Sequence, residues 1–142
     1  MNRLEMFKSM FALSVGLLLG GLLMIGESAG ATSGPTQTNS GAGVTVEVTY
    51  INPNGTEDAR FQVALNTHSV DLDGYDLKSL SLLREETGKA YQPTKVENKG
   101  SGHHRQIVIV FPKASPQAKR LELVIKDIAG VKERSFRWDL SR

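Results

Sequence analysis

The side chains of this chain best placed to do chemistry near neutral pH are its three histidines, His68, His103 and His104. Asp71 and Asp73 follow His68 closely, and Asp76 and Asp127 carry further carboxylates. Imidazole suits zinc, copper and nickel, and carboxylates can complete such a shell. His68, Asp71, Asp73, His103 and His104 are therefore the candidate ligands for a divalent transition metal, Zn or Cu. Adjacent residues of an extended chain point to opposite faces, so only one of His103 and His104 is expected to join His68 directly. The chain has no cysteine, and its four methionines all lie within residues 1–24. A metal site in the remainder would thus rest on histidine and carboxylate alone.

Other chemistry fits these residues less well. Asp71-Leu-Asp-Gly-Tyr-Asp76 is rich in carboxylates but is not an EF-hand loop, because Gly74 comes too early and no Glu closes it. His68, Ser69 and Asp71 hold the groups of a hydrolytic triad, yet such close neighbours rarely reach triad geometry. No strand–elbow–helix context surrounds them. The simplest alternative is that these residues cap turns and hydrogen-bond the backbone. Glu85 and Glu86 read as solvated turn residues. Lys113, Lys119 and Arg120 read as a solvated basic group. Asn54-Gly-Thr56 matches a glycosylation sequon.

The segments around these residues read as strands. Val44 to Tyr50 alternates apolar and polar residues at period two, as do Phe61 to Leu65, Leu121 to Ile125 and Phe136 to Leu140. Leu80 to Arg84 is a short apolar strand. Lys89 to Glu97 is a weak one that Pro93 assigns to an edge. Ile107 to Phe111 is continuously apolar and suits a central strand buried on both faces. Tyr75 to Leu83 has room for one helical turn. About seven short strands in roughly 97 residues predict an all-β, antiparallel two-sheet sandwich of immunoglobulin or fibronectin type. Trp138 belongs to its core. If successive strands run antiparallel, the connections at 68–74, 98–104 and 127–130 share one end, bringing all three histidines there.

Before this domain, residues 11–26 (FALSVGLLLGGLLMIG) are apolar or small throughout. Arg3 and Lys8 precede them, and Ser28-Ala-Gly-Ala31 supplies small residues for cleavage. This is the pattern of a secretory signal covering 1–31. The competing reading is an uncleaved anchor, although sixteen helical residues span only ~24 Å of a ~30 Å hydrocarbon core. Residues 32–43 carry almost no bulky apolar side chain and are expected to form a flexible linker, leaving 44–142 as the domain. The chain is then exported, periplasmic or extracellular, or tethered to an inner membrane. Seventeen Lys and Arg against fifteen Asp and Glu give a net charge of +2, too little for general attraction to nucleic acid. Disulfides, thiol catalysis and Fe–S clusters are excluded by the absence of cysteine.

Thr67-His-Ser-Val-Asp-Leu-Asp73, Gly102-His-His-Arg105 and Val131 to Leu140 together resemble small bacterial envelope proteins with an export or anchor segment before one immunoglobulin-like domain. The resemblance implies a sandwich and an envelope location, with no established activity to carry over. The expected function is that of an exported, non-enzymatic domain presenting His- and Asp-bearing loops to a metal ion or small ligand. The alternative is a structural or interaction module contacting another envelope protein, without metal.

Overall fold

The computed structural model describes residues 34–53 and 57–140. The hydrophobic segment, the expected cleavage site after it and the sequon at Asn54 lie outside the described residues. Nine strands and one helical turn occur in the order β1 (Thr36–Gly41), β2 (Val44–Tyr50), β3 (Ala59–Thr67), α1 (Leu77–Leu80), β4 (Ser81–Glu85), β5 (Ala90–Tyr91), β6 (Lys95–Asn98), β7 (His104–Phe111), β8 (Arg120–Ile128) and β9 (Val131–Asp139). They form two antiparallel sheets, ordered β1-β2-β3-β7-β6 and β5-β4-β8-β9. No helix among the described residues is long and apolar enough to cross a membrane.

The period-two pattern decides which face of each strand is buried. Val44, Val46, Val48 and Tyr50 of β2 point inward with Phe61, Val63 and Leu65 of β3 and Ile107, Ile109 and Phe111 of β7. Leu83, Leu121, Leu123, Ile125, Phe136 and Trp138 meet them from the second sheet. Each such side chain removed from water stabilises the fold by about 1.5–3 kcal/mol before the entropy of ordering is counted. Near the end remote from the histidines, Phe61 stacks on Tyr50 at 4.5 Å between centroids and meets Trp138 at 5.2 Å and Phe111 at 5.9 Å. Trp138 is a core residue, as expected, and its indole N–H donates to Pro35 O at 3.0 Å. The central position expected of 107–111 also holds, since β7 lies between β3 and β6.

Three expectations need correction. The strands number nine among the described residues, not seven. One extra strand is β1, which lies inside the stretch 32–43 expected as a flexible linker. Thr36–Gly41 pairs along its whole length with Val44–Thr49. A strand without apolar residues is stable here because its outward hydroxyls pair across the ladder, Thr36 with Thr49 at 2.6 Å and Ser40 with Thr45 at 2.9 Å. Its other side is held by polar groups of β9. The second extra strand comes from the weak 89–97 segment, which divides at Pro93 into β5 in one sheet and β6 in the other. Both are edges, as the proline indicated. The third correction is Glu85, which is 5% exposed and not a solvated turn residue.

Candidate functional site

Four connections meet at one end of the sandwich, which we call the upper end. They are the β1–β2 turn at Ala42-Gly43, the β3–α1 loop, the β6–β7 loop and the β8–β9 turn at Ala129-Gly130. The register Val44↔Thr67 and Asn66↔His104 brings the first three level. All three histidines lie here, on the end expected from strand alternation. His68, His103 and His104 are each exposed.

The loops are held to one another rather than left independent. Thr67, 4% exposed, donates its hydroxyl to Gly43 O at 2.7 Å and accepts from the N–H groups of Ser69 and Val70. Its own N–H donates to His103 O at 3.0 Å. Asp73 Oδ1 accepts from Gly102 N at 2.9 Å, closing the β3–α1 loop onto the β6–β7 loop. Tyr75 Oη accepts from Ala129 N at 2.9 Å, tying in the β8–β9 turn. Asp71 Oδ1 accepts from Asp73 N, and Asp76 caps α1 by accepting from Lys78 N at 3.1 Å. Asp71, Asp73 and Asp76 thus each spend an oxygen on backbone N–H groups, the role of loop aspartates in turns and caps.

Two buried arginines complete the scaffold, and no sequence pattern marks either of them. Arg105, 7% exposed, donates through Nη1 to Leu72 O at 2.8 Å and Tyr75 O at 2.7 Å, and through Nη2 to Asn98 Oδ1 at 2.9 Å. Arg134 is fully buried. It donates to Asn39 Oδ1 at 2.9 Å, to Gly41 O at 2.9 Å and, more distantly, to Ile128 O at 3.5 Å. Gly41 and Ile128 each precede the Ala-Gly pair of a tight turn, so one guanidinium holds the bases of both. Those turns place Ala42 at φ 53° and Ala129 at φ 52°, in the left-handed region that alanine adopts at a cost. Burial lowers the Arg134 pKa. Among the described residues neither arginine has a carboxylate partner; both are satisfied chiefly by carbonyl and amide oxygens. A single Arg at the end of a strand carries no pattern that distinguishes this role from a solvated one.

For the five residues expected to ligate a metal, the outcome is specific. His104 Nδ1 lies 2.8 Å from Asn66 Oδ1. The loops bearing His68, Asp71, Asp73 and His103 are joined by the contacts above. Among the described residues, no group of three or more His, Asp or Glu side chains is arranged to hold one ion. What the upper end offers as it stands is an ordered, polar surface with exposed imidazoles, and its carboxylates serve the loops.

The opposite end is organised around Glu85. Its Oε1 accepts from Ser115 N at 2.7 Å and from Tyr91 Oη at 2.7 Å, and its Oε2 accepts from Thr87 Oγ1 at 2.8 Å. Burial alone would raise its pKa, but the hydrogen bonds from the Ser115 N–H, Tyr91, Thr87 and the Ser115 hydroxyl outweigh it and bring the value to about 2. Lys89 Nζ lies 3.0 Å from Ser115 Oγ. These contacts pin the β7–β8 connection, which has no regular structure of its own. Compared with protein-family models, curated proteins and solved structures, the chain matches none.

Proposed function

We propose that this is a non-enzymatic, exported binding module of the cell envelope, immunoglobulin-like in topology, which recognises a partner protein through its upper loops. The strand order supports the topological part. The order β2-β3-β7-β6 facing β4-β8-β9 corresponds to the A-B-E-D and C-F-G order of such domains, with β5 added beside β4 and β1 added beside β2. In that arrangement the β3–α1 loop, the β6–β7 loop and the β8–β9 turn are the B–C, D–E and F–G connections. Loops of that end carry recognition in variable domains, a fold-level analogy.

The observation that carries the functional part is the mutual tethering of these loops by Thr67, Asp73, Tyr75, Arg105 and Arg134. A surface already ordered spends less free energy on ordering when a partner binds. Exposed His68, Ser69 and His103 then supply donors and acceptors at fixed positions. Site-specific photo-crosslinking from Ser69 and Ser101 in cells is the test, with Gln117 at the opposite end as the control. A discrete adduct from the two upper positions, and none from Gln117, is the expected result. Equal labelling from both ends, or no adduct from Ser69 and Ser101, rejects the proposal.

The metal reading rests on the same residues and is decided separately. If His68, Asp71, Asp73, His103 and His104 bind Zn or Cu by a local closing of the loops, calorimetry with the full chain gives a dissociation constant below ~100 µM that His68→Ala weakens.

A further inference from the structure

The outer face of β4, β8 and β9 near the Glu85 end holds a groove of about 250 Å³ lined by Arg84, Glu85, Glu86, Arg120, Glu122 and Arg137. Three charges of each sign line it, yet the two signs are not equally available. Glu85 is buried and its oxygens are taken by Ser115, Tyr91 and Thr87. Glu86 accepts from Lys119 N at 2.7 Å through Oε1 and from Arg120 N at 3.0 Å through Oε2. These contacts, with Lys119 the largest, lower its pKa. Glu122 Oε1 receives both Nε and Nη2 of Arg137, at 3.2 and 3.1 Å.

The arginines are engaged on one side only. Arg84 gives Nη2 to Glu133 at 3.2 Å, and Arg120 gives Nε to Asp139 at 2.8 Å. Among the described residues, both Nη groups of Arg120, Nε and Nη1 of Arg84, and Nη1 of Arg137 have no protein acceptor. Their side chains are 38%, 58% and 67% exposed for Arg84, Arg120 and Arg137, so a solute can reach them. The registers Arg84↔Glu122 and Glu122↔Arg137 set two guanidiniums on either side of Glu122, and Arg120 precedes Glu122 by two residues on the same face of β8.

We propose that this groove binds a phosphoryl group carried on a small molecule. Guanidinium forks match phosphate oxygens in pairs, and a phosphate monoester offers three terminal oxygens to the unused N–H groups of this lining. A carboxylate offers only two oxygens and a single charge, so it reaches fewer of these free donors. The volume is below the ~300 Å³ at which drug-sized ligand sites begin, so the body attached to the phosphoryl group is small. The six lining charges balance, and Glu133 and Asp139 also sit on Arg84 and Arg120, so recognition is short-range and the affinity modest, with a dissociation constant on the order of 1 mM.

Inorganic phosphate is the probe, titrated into the ¹⁵N-labelled full chain in a non-ionic detergent at constant ionic strength. Saturable shifts are expected at the amides of Glu86, Arg120 and Glu122. They are expected to vanish in the Arg84→Gln, Arg120→Gln double variant and to persist in Arg60→Gln, which alters the other sheet. Acetate is expected to bind at least tenfold more weakly. Non-saturating shifts in the unaltered chain, or shifts that survive the double substitution, overturn the site. Equal affinity for acetate overturns the assignment to a phosphoryl group.

Discussion

Glu85, Arg105 and Arg134 show what a charged side chain does when the backbone, and not an opposite charge, is its partner. Each is almost fully removed from water. Such burial is tolerable only where the polar atoms find partners, and these find carbonyls, backbone N–H groups and hydroxyls at the ends of the strands. Arg134 Nε is the exception, buried without an acceptor. Glu85→Gln keeps the shape but removes the charge that Ser115 N, Tyr91 and Thr87 address. Bonds to a charged acceptor contribute about 1.5–3 kcal/mol, so urea unfolding at pH 7 is expected to show a loss of about 2 kcal/mol. The folded carboxyl titrates near 2, below its ordinary 4.5. Its contribution is therefore present above pH 4.5 and lost as the pH falls toward 2. Stability of the Gln variant should change less steeply across that window. Parallel curves for the two proteins would show that Glu85 does not drive the acid transition.

Among the elements, β1 and β9 are the informative pair. They are edge strands of different sheets, and they face each other without a backbone ladder. Side chains replace that ladder. Gln37 Nε2 donates to Arg137 O, and Arg137 N donates to Gln37 Oε1 at 3.0 Å, so one amide side chain imitates a strand. Trp138 and Arg134 donate to Pro35 O and Gly41 O on either side of it. The seam protects two edges that would otherwise template association. Gln37→Ala should expose the Arg137 amide while leaving the sheets intact. Native-state hydrogen exchange is expected to quicken there by about tenfold, with a global loss of no more than about 1 kcal/mol. Unchanged exchange at Arg137 would mean that water or neighbouring groups, and not Gln37, protect it.

For the molecule as a whole, the seam makes residues 34–41 part of the folded unit. Gly34 N donates to Tyr50 O at 2.7 Å, and a Cβ at Gly34 would lie 3.3 Å from Trp138 and Tyr50. A chain cut to begin at Val44 leaves the outer edge of β2 unpaired and removes the Pro35 acceptor of Trp138 and the Asn39 and Gly41 acceptors of Arg134. It is expected to melt about 10 °C or more below one beginning at Gly34, since each kcal/mol moves a domain of this size by about 4–8 °C. It should also self-associate with concentration through the open β2 edge, visible by size-exclusion chromatography with light scattering. Equal melting temperatures and a monomeric shorter chain would return β1 to the status of a spacer.

The all-β class, the inward set on β2, β3, β8 and β9, the core placement of Trp138 and the end of the sandwich that carries the histidines were legible in the residue order alone. These follow from a period of two and from alternating strand direction, both local properties of the chain. The residue order did not yield β1, because Thr-Gln-Thr-Asn-Ser-Gly has the composition of a spacer until Gln37 and Asn39 meet a β9 that is distant in sequence. Nor did it yield Glu85, Arg105 or Arg134 as buried groups, since a charged residue beside a turn is by default solvated. That Asp71 and Asp73 hold loops together, and that three arginines of β4, β8 and β9 share one groove, follows from the packed fold alone. The reason is that side-chain polarity states which partners a group needs, while the packing of distant strands states which partners it has.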